Sequence, residues 1–160
     1  MNTADATFSF FLNNEDATAR FGAWLAGQLG VGDTVLLSGT IGAGKSHLAR
    51  SFIHARLGRL EDVPSPSFTL VQTYDADVEI WHADLYRLSH PDEVLELGLE
   101  DAFSTAICLI EWPDRMGNMV PKRAIRIELA LEGTGRRIVM TCPCHPDLLC
   151  AVLADWRGDV

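Results

Sequence analysis

Leu36-Leu37-Ser38-Gly39-Thr40-Ile41-Gly42-Ala43-Gly44-Lys45-Ser46-His47-Leu48 reads as a strand, a glycine-rich loop and a helix start, with the spacing GxxxxGK followed by serine. That spacing is a phosphate-binding loop. Gly39, Gly42 and Gly44 carry no Cβ, so the backbone between them can turn tightly and aim successive amides at phosphate oxygens. Thr40, Ile41 and Ala43 contribute backbone to the same cradle. Lys45 brings a point charge to the β and γ phosphates, and Ser46, one residue into the helix, can set its hydroxyl on Mg²⁺. The flanks fit this context. Thr34-Val35-Leu36-Leu37 is a buried-strand run, and Leu48, Phe52 and Ile53 recur at helical spacing.

Working outward, 160 residues suit one domain spanning 1–160, with 48% apolar residues to build a core. The longest apolar runs fall short of a membrane span, and the N-terminus lacks a basic-then-apolar leader, so a cytoplasmic protein without membrane contact is expected. Cys108, Cys142, Cys144 and Cys150 form no framework of spaced pairs and are expected to be reduced and mostly buried. Cys142-Pro143-Cys144-His145 has metal-binding residue types but supplies only half of a four-ligand site. The net charge of −9 opposes direct binding to DNA or RNA, whose affinity comes largely from basic residues neutralising phosphates. Lys122, Arg123 and Arg126, and then Arg136 and Arg137, read as solvated strand ends.

Upstream of the loop, Thr7 to Phe11 reads as a strand. Asn14 reads as a helix cap, with Ala17, Phe21, Trp24, Leu25 and Leu29 on one face and Gly30 as the stop. The aromatic residues suit a core, although this helix could also border a nucleotide base. Downstream, the helix from Lys45 runs to about Leu57. Val63 to Phe68 then holds two prolines and two serines, an extended surface segment. In phosphate-loop proteins such a segment can be a switch that touches Mg²⁺ and the γ-phosphate, or it can be a rigid connector.

Thr69 to Tyr74 and Val78 to Ala83 form a hairpin around Asp75-Ala76-Asp77. Asp84 stands where the second strand leaves the sheet, a place for a carboxylate that positions water or metal, or for a cap or ion pair with Arg87. Two short helical pieces flank Gly98. Ala106 to Ile110 is a fully apolar run closed by Glu111, the pattern of a buried parallel strand ending in the metal-holding acid of the Walker B arrangement. The longer reach of Glu relative to Asp favours a contact through water or a role in aligning attacking water; the bland alternative is a strand-end carboxylate facing solvent. A short helix is expected from Pro113, then a hairpin from Ile125 to Thr141 with its turn at Glu132 to Gly135, then a helix from Pro146 with Leu148, Leu149, Val152 and Leu153 inward. The fold class that follows is a three-layer α/β, P-loop NTPase-like domain with a largely parallel central sheet extended by antiparallel hairpins.

Five short motifs, in this order, give the chain a family resemblance: GTIGAGKS at Gly39 to Ser46, SPSF at Ser65 to Phe68, HADLYRL at His82 to Leu88, ELGLED at Glu96 to Asp101 and IEWPD at Ile110 to Asp114. The chain resembles the TsaE (YjeE) family of small bacterial ATPases needed for threonylcarbamoyladenosine formation on tRNA. The resemblance implies ATP and Mg²⁺ as ligands, Lys45 and Ser46 on phosphate and metal, Glu111 completing the metal site, Asp84 serving hydrolysis and Trp112 beside the active site. Ser67 stands where the family usually has threonine; it keeps the hydroxyl but loses the methyl that stiffens χ1. TsaB and TsaD are the partners implied, with tRNA reached only through them.

A small-molecule kinase is the alternative, since it shares size, fold and phosphate loop. It would need an arginine-bearing lid, and no arginine-rich lid or local arginine finger is evident in the sequence. No NKxD-like guanine-reading stretch or LSGGQ-like transporter stretch occurs, which leaves adenine as the base by elimination.

Overall fold

A computed structural model describes residues 7–58, 62–64, 66 and 69–156. The chain runs β1 (Thr7–Leu12), α1 (Glu15–Ala26), β2 (Thr34–Ser38), α2 (Lys45–Leu57), β3 (Val71–Asp75), β4 (Glu79–Asp84), α3 (Glu93–Leu97), α4 (Leu99–Thr105), β5 (Ile107–Glu111), a 3₁₀ helix (Pro113–Met119), β6 (Ile125–Glu132), β7 (Gly135–Thr141) and α5 (Pro146–Asp155). These strands form one seven-stranded sheet in the order β1-β7-β6-β2-β5-β4-β3. Its centre, β6-β2-β5-β4, is parallel, and the antiparallel pairs β3/β4, β6/β7 and β1/β7 extend it to both sides. This is the α/β sheet, parallel at heart with hairpin extensions, that the apolar runs lead one to expect.

Two cores flank the sheet. On one face Val35, Leu37, Ile80, Ile107 and Leu109 pack under Phe21, Leu25, Leu48, Phe52 and Ile53 of α1 and α2. On the other, Leu36, Cys108 and Ile110 pack under Val94, Leu99 and Ala102 of α3 and α4, with Met116 of the 3₁₀ helix. Each of Val35, Leu36 and Leu37 is fully buried because β2 is covered on both faces, which is why its sequence is continuously apolar.

The local chemistry accounts for the element ends. Asn14 caps α1, its Oδ1 accepting from the Ala17 amide at 2.9 Å. The helix stops at Ala26, before the expected Gly30, because Gly27 already turns its amide back onto Trp24 and Leu25. Arg56 of α2 helps to close that end, its Nη1 donating to the Ala26 and Leu29 carbonyls at 2.6 Å each. Gly22 lets α1 and α2 approach closely, since a Cβ there would stand 2.7 Å from the Leu48 carbonyl oxygen. The aromatic residues of α1 belong to the core: Phe21 and Trp24 pack with Phe10 and Trp156, and the Trp24 indole donates to Asp155 at 2.8 Å, fastening α5. Leu148 and Val152 of α5 point inward, whereas Leu153 is exposed, against the expectation for that residue.

Of the four cysteines, Cys108 and Cys142 are buried while Cys144 and Cys150 are exposed, so only half of them follow the expected burial. His145 bonds Asp33 at 2.9 Å. Among the described residues no group of three His, Cys, Asp or Glu side chains could hold a metal ion, and no helix is long and apolar enough to cross a membrane.

Candidate functional site

Parallel strands release their carboxyl ends on one edge of the sheet, and that edge holds the site. The loop after β2 turns through positive φ at Gly39, Gly42 and Gly44 and enters α2 at Lys45. Gly44 is required twice over: its φ is +108°, and a Cβ would meet Arg136 Nε at 2.9 Å. Beside the loop, β5 ends at Glu111 and β4 at Asp84, and these two carboxylates are register partners.

Glu111 is 2% exposed, which overturns the reading of a strand-end acid facing solvent. Its burial is compensated by hydrogen bonds. Ser46 Oγ donates to Glu111 Oε1 at 2.9 Å and lies 3.2 Å from Oε2, which also accepts from His82 Nε2 at 2.7 Å. A hydroxyl has one hydrogen and two lone pairs, so Ser46 can give its hydrogen to Glu111 and still offer oxygen to a cation. Serine and glutamate oxygens are hard donors, and one or two of them beside substrate phosphates and water are what Mg²⁺ takes. The residues present therefore fit Mg²⁺.

Lys45 folds over its own loop, its Nζ donating to the carbonyls of Gly39 at 2.6 Å and Thr40 at 3.0 Å. The ammonium also lies 4.3 Å from the centre of the Trp112 ring. Burial pushes its pKa below the ordinary lysine value, opposed by the Glu111 and Asp84 carboxylates. Trp112 sits at φ 60°, ψ 53°, a left-handed conformation that costs a bulky residue about 1–3 kcal/mol and turns the chain sharply after Glu111. That turn lays its ring against Tyr86 with centroids 4.9 Å apart. Asp84 is buried and accepts from the Tyr86 amide at 3.0 Å, so a capping contact and a place at the site coexist.

A cavity of about 480 Å³ opens here, lined by Ile41, Gly42, Gly44, Lys45, Ser46, Asp84, Glu111 and Trp112 from the sequence-derived set. Ser67, expected in a switch contact, lies outside the described residues, as do Ser65 and Phe68. Glu15, Arg50, Arg87 and Arg136 line the cavity as well. The absence of local arginine expected from the sequence is thus corrected: three arginines far apart in the chain are gathered by the topology. Arg136 is the clearest correction, because it is buried, with Nε donating to the Ala43 carbonyl of the loop at 3.1 Å. The signal was legible in the strand's alternation, since Ile138 and Met140 face the core and Arg136 shares their parity. Arg137, on the other parity, pairs at the surface with Glu132 as a solvated strand residue should. His82 was overlooked for the same reason, sharing a face with Ile80 and Asp84.

Comparison with known proteins identifies relatives of this chain. The family profile described as threonylcarbamoyl adenosine biosynthesis protein TsaE matches residues 12–139. The tRNA threonylcarbamoyladenosine biosynthesis protein TsaE of Rickettsia bellii is 38% identical over 128 residues, covering 79% of this chain and 89% of that one. Its counterpart in Treponema pallidum is 31% identical over 121 residues, covering 75% and 89%. The crystal structure of Bacillus subtilis YdiB shares the fold, with a TM-score of 0.75 at 24% identity over 98% of both chains. With the profile spanning most of its length and curated relatives at 31% and 38% identity, the chain belongs to the TsaE family of tRNA threonylcarbamoyladenosine biosynthesis proteins.

Proposed function

We propose that the protein is a Mg²⁺-dependent ATPase of the tRNA threonylcarbamoyladenosine machinery, working in the cytoplasm on a complex of TsaB and TsaD and reaching tRNA only through them. The observation that carries this reading is the convergence of Lys45, Ser46, Glu111 and Asp84 at the carboxyl ends of β2, β5 and β4. Phosphoryl transfer needs little covalent help from a protein; it needs positioning and charge. The amides of Gly42, Ala43 and Gly44 and the α2 N-terminus hold phosphate oxygens. Lys45 exchanges the Gly39 and Thr40 carbonyls for the β and γ phosphates. Ser46 and Glu111 would hold Mg²⁺, which would supply neutralising charge to the phosphates. Asp84 orients the attacking water, and Arg136 steadies the loop from behind. The net charge of −9 accords with contact to tRNA through partners rather than directly.

Calorimetric titration of MgATP tests the site: the wild type binds, and a folded Lys45→Ala protein does not. Unchanged affinity in that variant would end the phosphate-loop reading. Turnover is then measured with TsaB, TsaD and tRNA present or absent. Hydrolysis that is slow alone and faster with partners is expected; accumulation of a small phosphorylated metabolite would instead identify a kinase.

A further inference from the structure

We propose that His82 is a positioning residue that fixes the Glu111 carboxylate in the orientation needed for Mg²⁺, and so sets how tightly the metal is held with nucleotide. The inference rests on the metal-holding reading of Glu111. His82 is 1% exposed and Glu111 2%, and their side chains meet at 2.7 Å. The ring belongs to the same sheet face as Ile80, Ile107 and Leu109, an apolar surface beneath α1 and α2. An imidazole in such surroundings costs free energy unless it is hydrogen-bonded, and a leucine would fill the space without that cost. Its position is therefore explained by the bond it makes rather than by packing.

A carboxylate can only accept, so Nε2 carries the hydrogen of this bond. His82 Nδ1 has no hydrogen-bond partner among the described residues, so the contact to Glu111 is the one the ring is placed to make. Glu111 has three side-chain torsions, and a hydrogen bond from Ser46 alone would leave the carboxylate free to swing with that hydroxyl. With His82 on Oε2 and Ser46 on Oε1, the two oxygens are held from opposite partners. Oε1 then stays beside the Ser46 hydroxyl, where a metal or its water would sit. Residues that orient metal-holding groups in this way typically change metal affinity by about 10–100-fold when replaced.

The test uses the full chain and separates metal from nucleotide. ADP binding is measured by calorimetry in EDTA and across a Mg²⁺ titration for the wild type, Glu111→Gln, His82→Phe, His82→Asn and His82→Gln, with folding checked by circular dichroism. Glutamine can place its amide nitrogen near the position of Nε2, whereas asparagine is too short to reach Glu111. His82→Phe and His82→Asn should need about 10–100-fold more Mg²⁺ for half-maximal enhancement of binding, with affinity in EDTA unchanged, and His82→Gln should recover most of the loss. If His82→Phe does not fold, the Asn and Gln pair carries the same comparison. An equal Mg²⁺ requirement in those two variants would overturn the proposal, as would a loss in EDTA equal to the loss with Mg²⁺. Should Glu111→Gln bind Mg²⁺ like the wild type, the metal reading of Glu111 falls and this inference with it; if Glu111→Gln fails while His82→Asn does not, only His82 is misassigned.

Discussion

The two halves of the sheet are built by different rules. From β2 through β5 to β4 the strands are parallel and covered on both faces; from β6 through β7 to β1 they are antiparallel, with helices on one face and Arg126, Glu128 and Ser9 exposed on the other. Parallel strands end together on one edge, so the covered half can present Ser46, Glu111 and Asp84 at one place. The open half alternates inward and outward along each strand and sends just one charged side chain, Arg136, to the site. Burial on both faces thus accompanies the chemistry, and the one-sided half supplies a buttress.

The largest effect that would break this contrast concerns stability. Leu109→Ala, in the centre of β5, should cost about 2–5 kcal/mol in chemical denaturation, since it opens a cavity in the core beneath α1 and α2. Val139→Ala, on the open face of β7, should cost about 1 kcal/mol or less. Equal losses would mean that the two halves are not energetically distinct. Next comes catalysis: at saturating Mg²⁺, Glu111→Ala should bind ATP nearly as well as the wild type yet hydrolyse it roughly 10²-fold more slowly, the scale of losing one electrostatic group in the transition state. A steady-state ATPase assay decides it, and undiminished turnover would return Glu111 to a structural role.

A finer comparison sets neighbouring arginines of β7 against each other. Arg136→Ala should weaken ATP binding about tenfold by releasing the Ala43 carbonyl, the equivalent of one charged hydrogen bond, while Arg137→Ala leaves affinity unchanged. Matching effects in a titration would remove the buttress role. The smallest effect is chemical. Burial raises the thiol of Cys108 to about 12 and that of Cys142 to about 11, so at pH 9 alkylation read by mass spectrometry should modify Cys144 and Cys150 rapidly and the buried pair only on unfolding. The sign follows from a folded pKa above the unfolded one. The two buried thiols contribute stability that is whole below pH 9 and is lost as pH rises toward 11 and 12, because the unfolded chain ionises first.

What the sequence disclosed follows the same division. Strand β5 was readable because an unbroken apolar run of strand length can be solvent-free on both faces only inside a parallel sheet, and the acid that closes it marks the sheet edge. Strand β6 was readable from its alternation. The phosphate loop was readable because glycine spacing and lysine serve one local purpose. Arg136 and His82 were missed because each acts across the fold, on Ala43 and Glu111, so nothing adjacent in the chain marks it. Their strand parity held the information, but parity becomes specific only once a neighbouring strand is known. The short reach of α1 was missed because Gly27 and Gly30 offer equal stops in sequence, and the tertiary contact from Arg56 is not local.

The left-handed turn at Trp112 has an optical consequence. Indole emission is sensitive to a nearby cation, and the Lys45 ammonium lies over this ring at 4.3 Å. Trp24 and Trp156 sit together in the α1–α5 cluster, and Trp81 bonds Glu79 on the β3–β4 hairpin. Any ligand that draws Lys45 toward its phosphates would lift the charge from a single indole out of four. The strained residue thereby equips the chain with an intrinsic fluorophore whose emission tracks the whereabouts of one ammonium group.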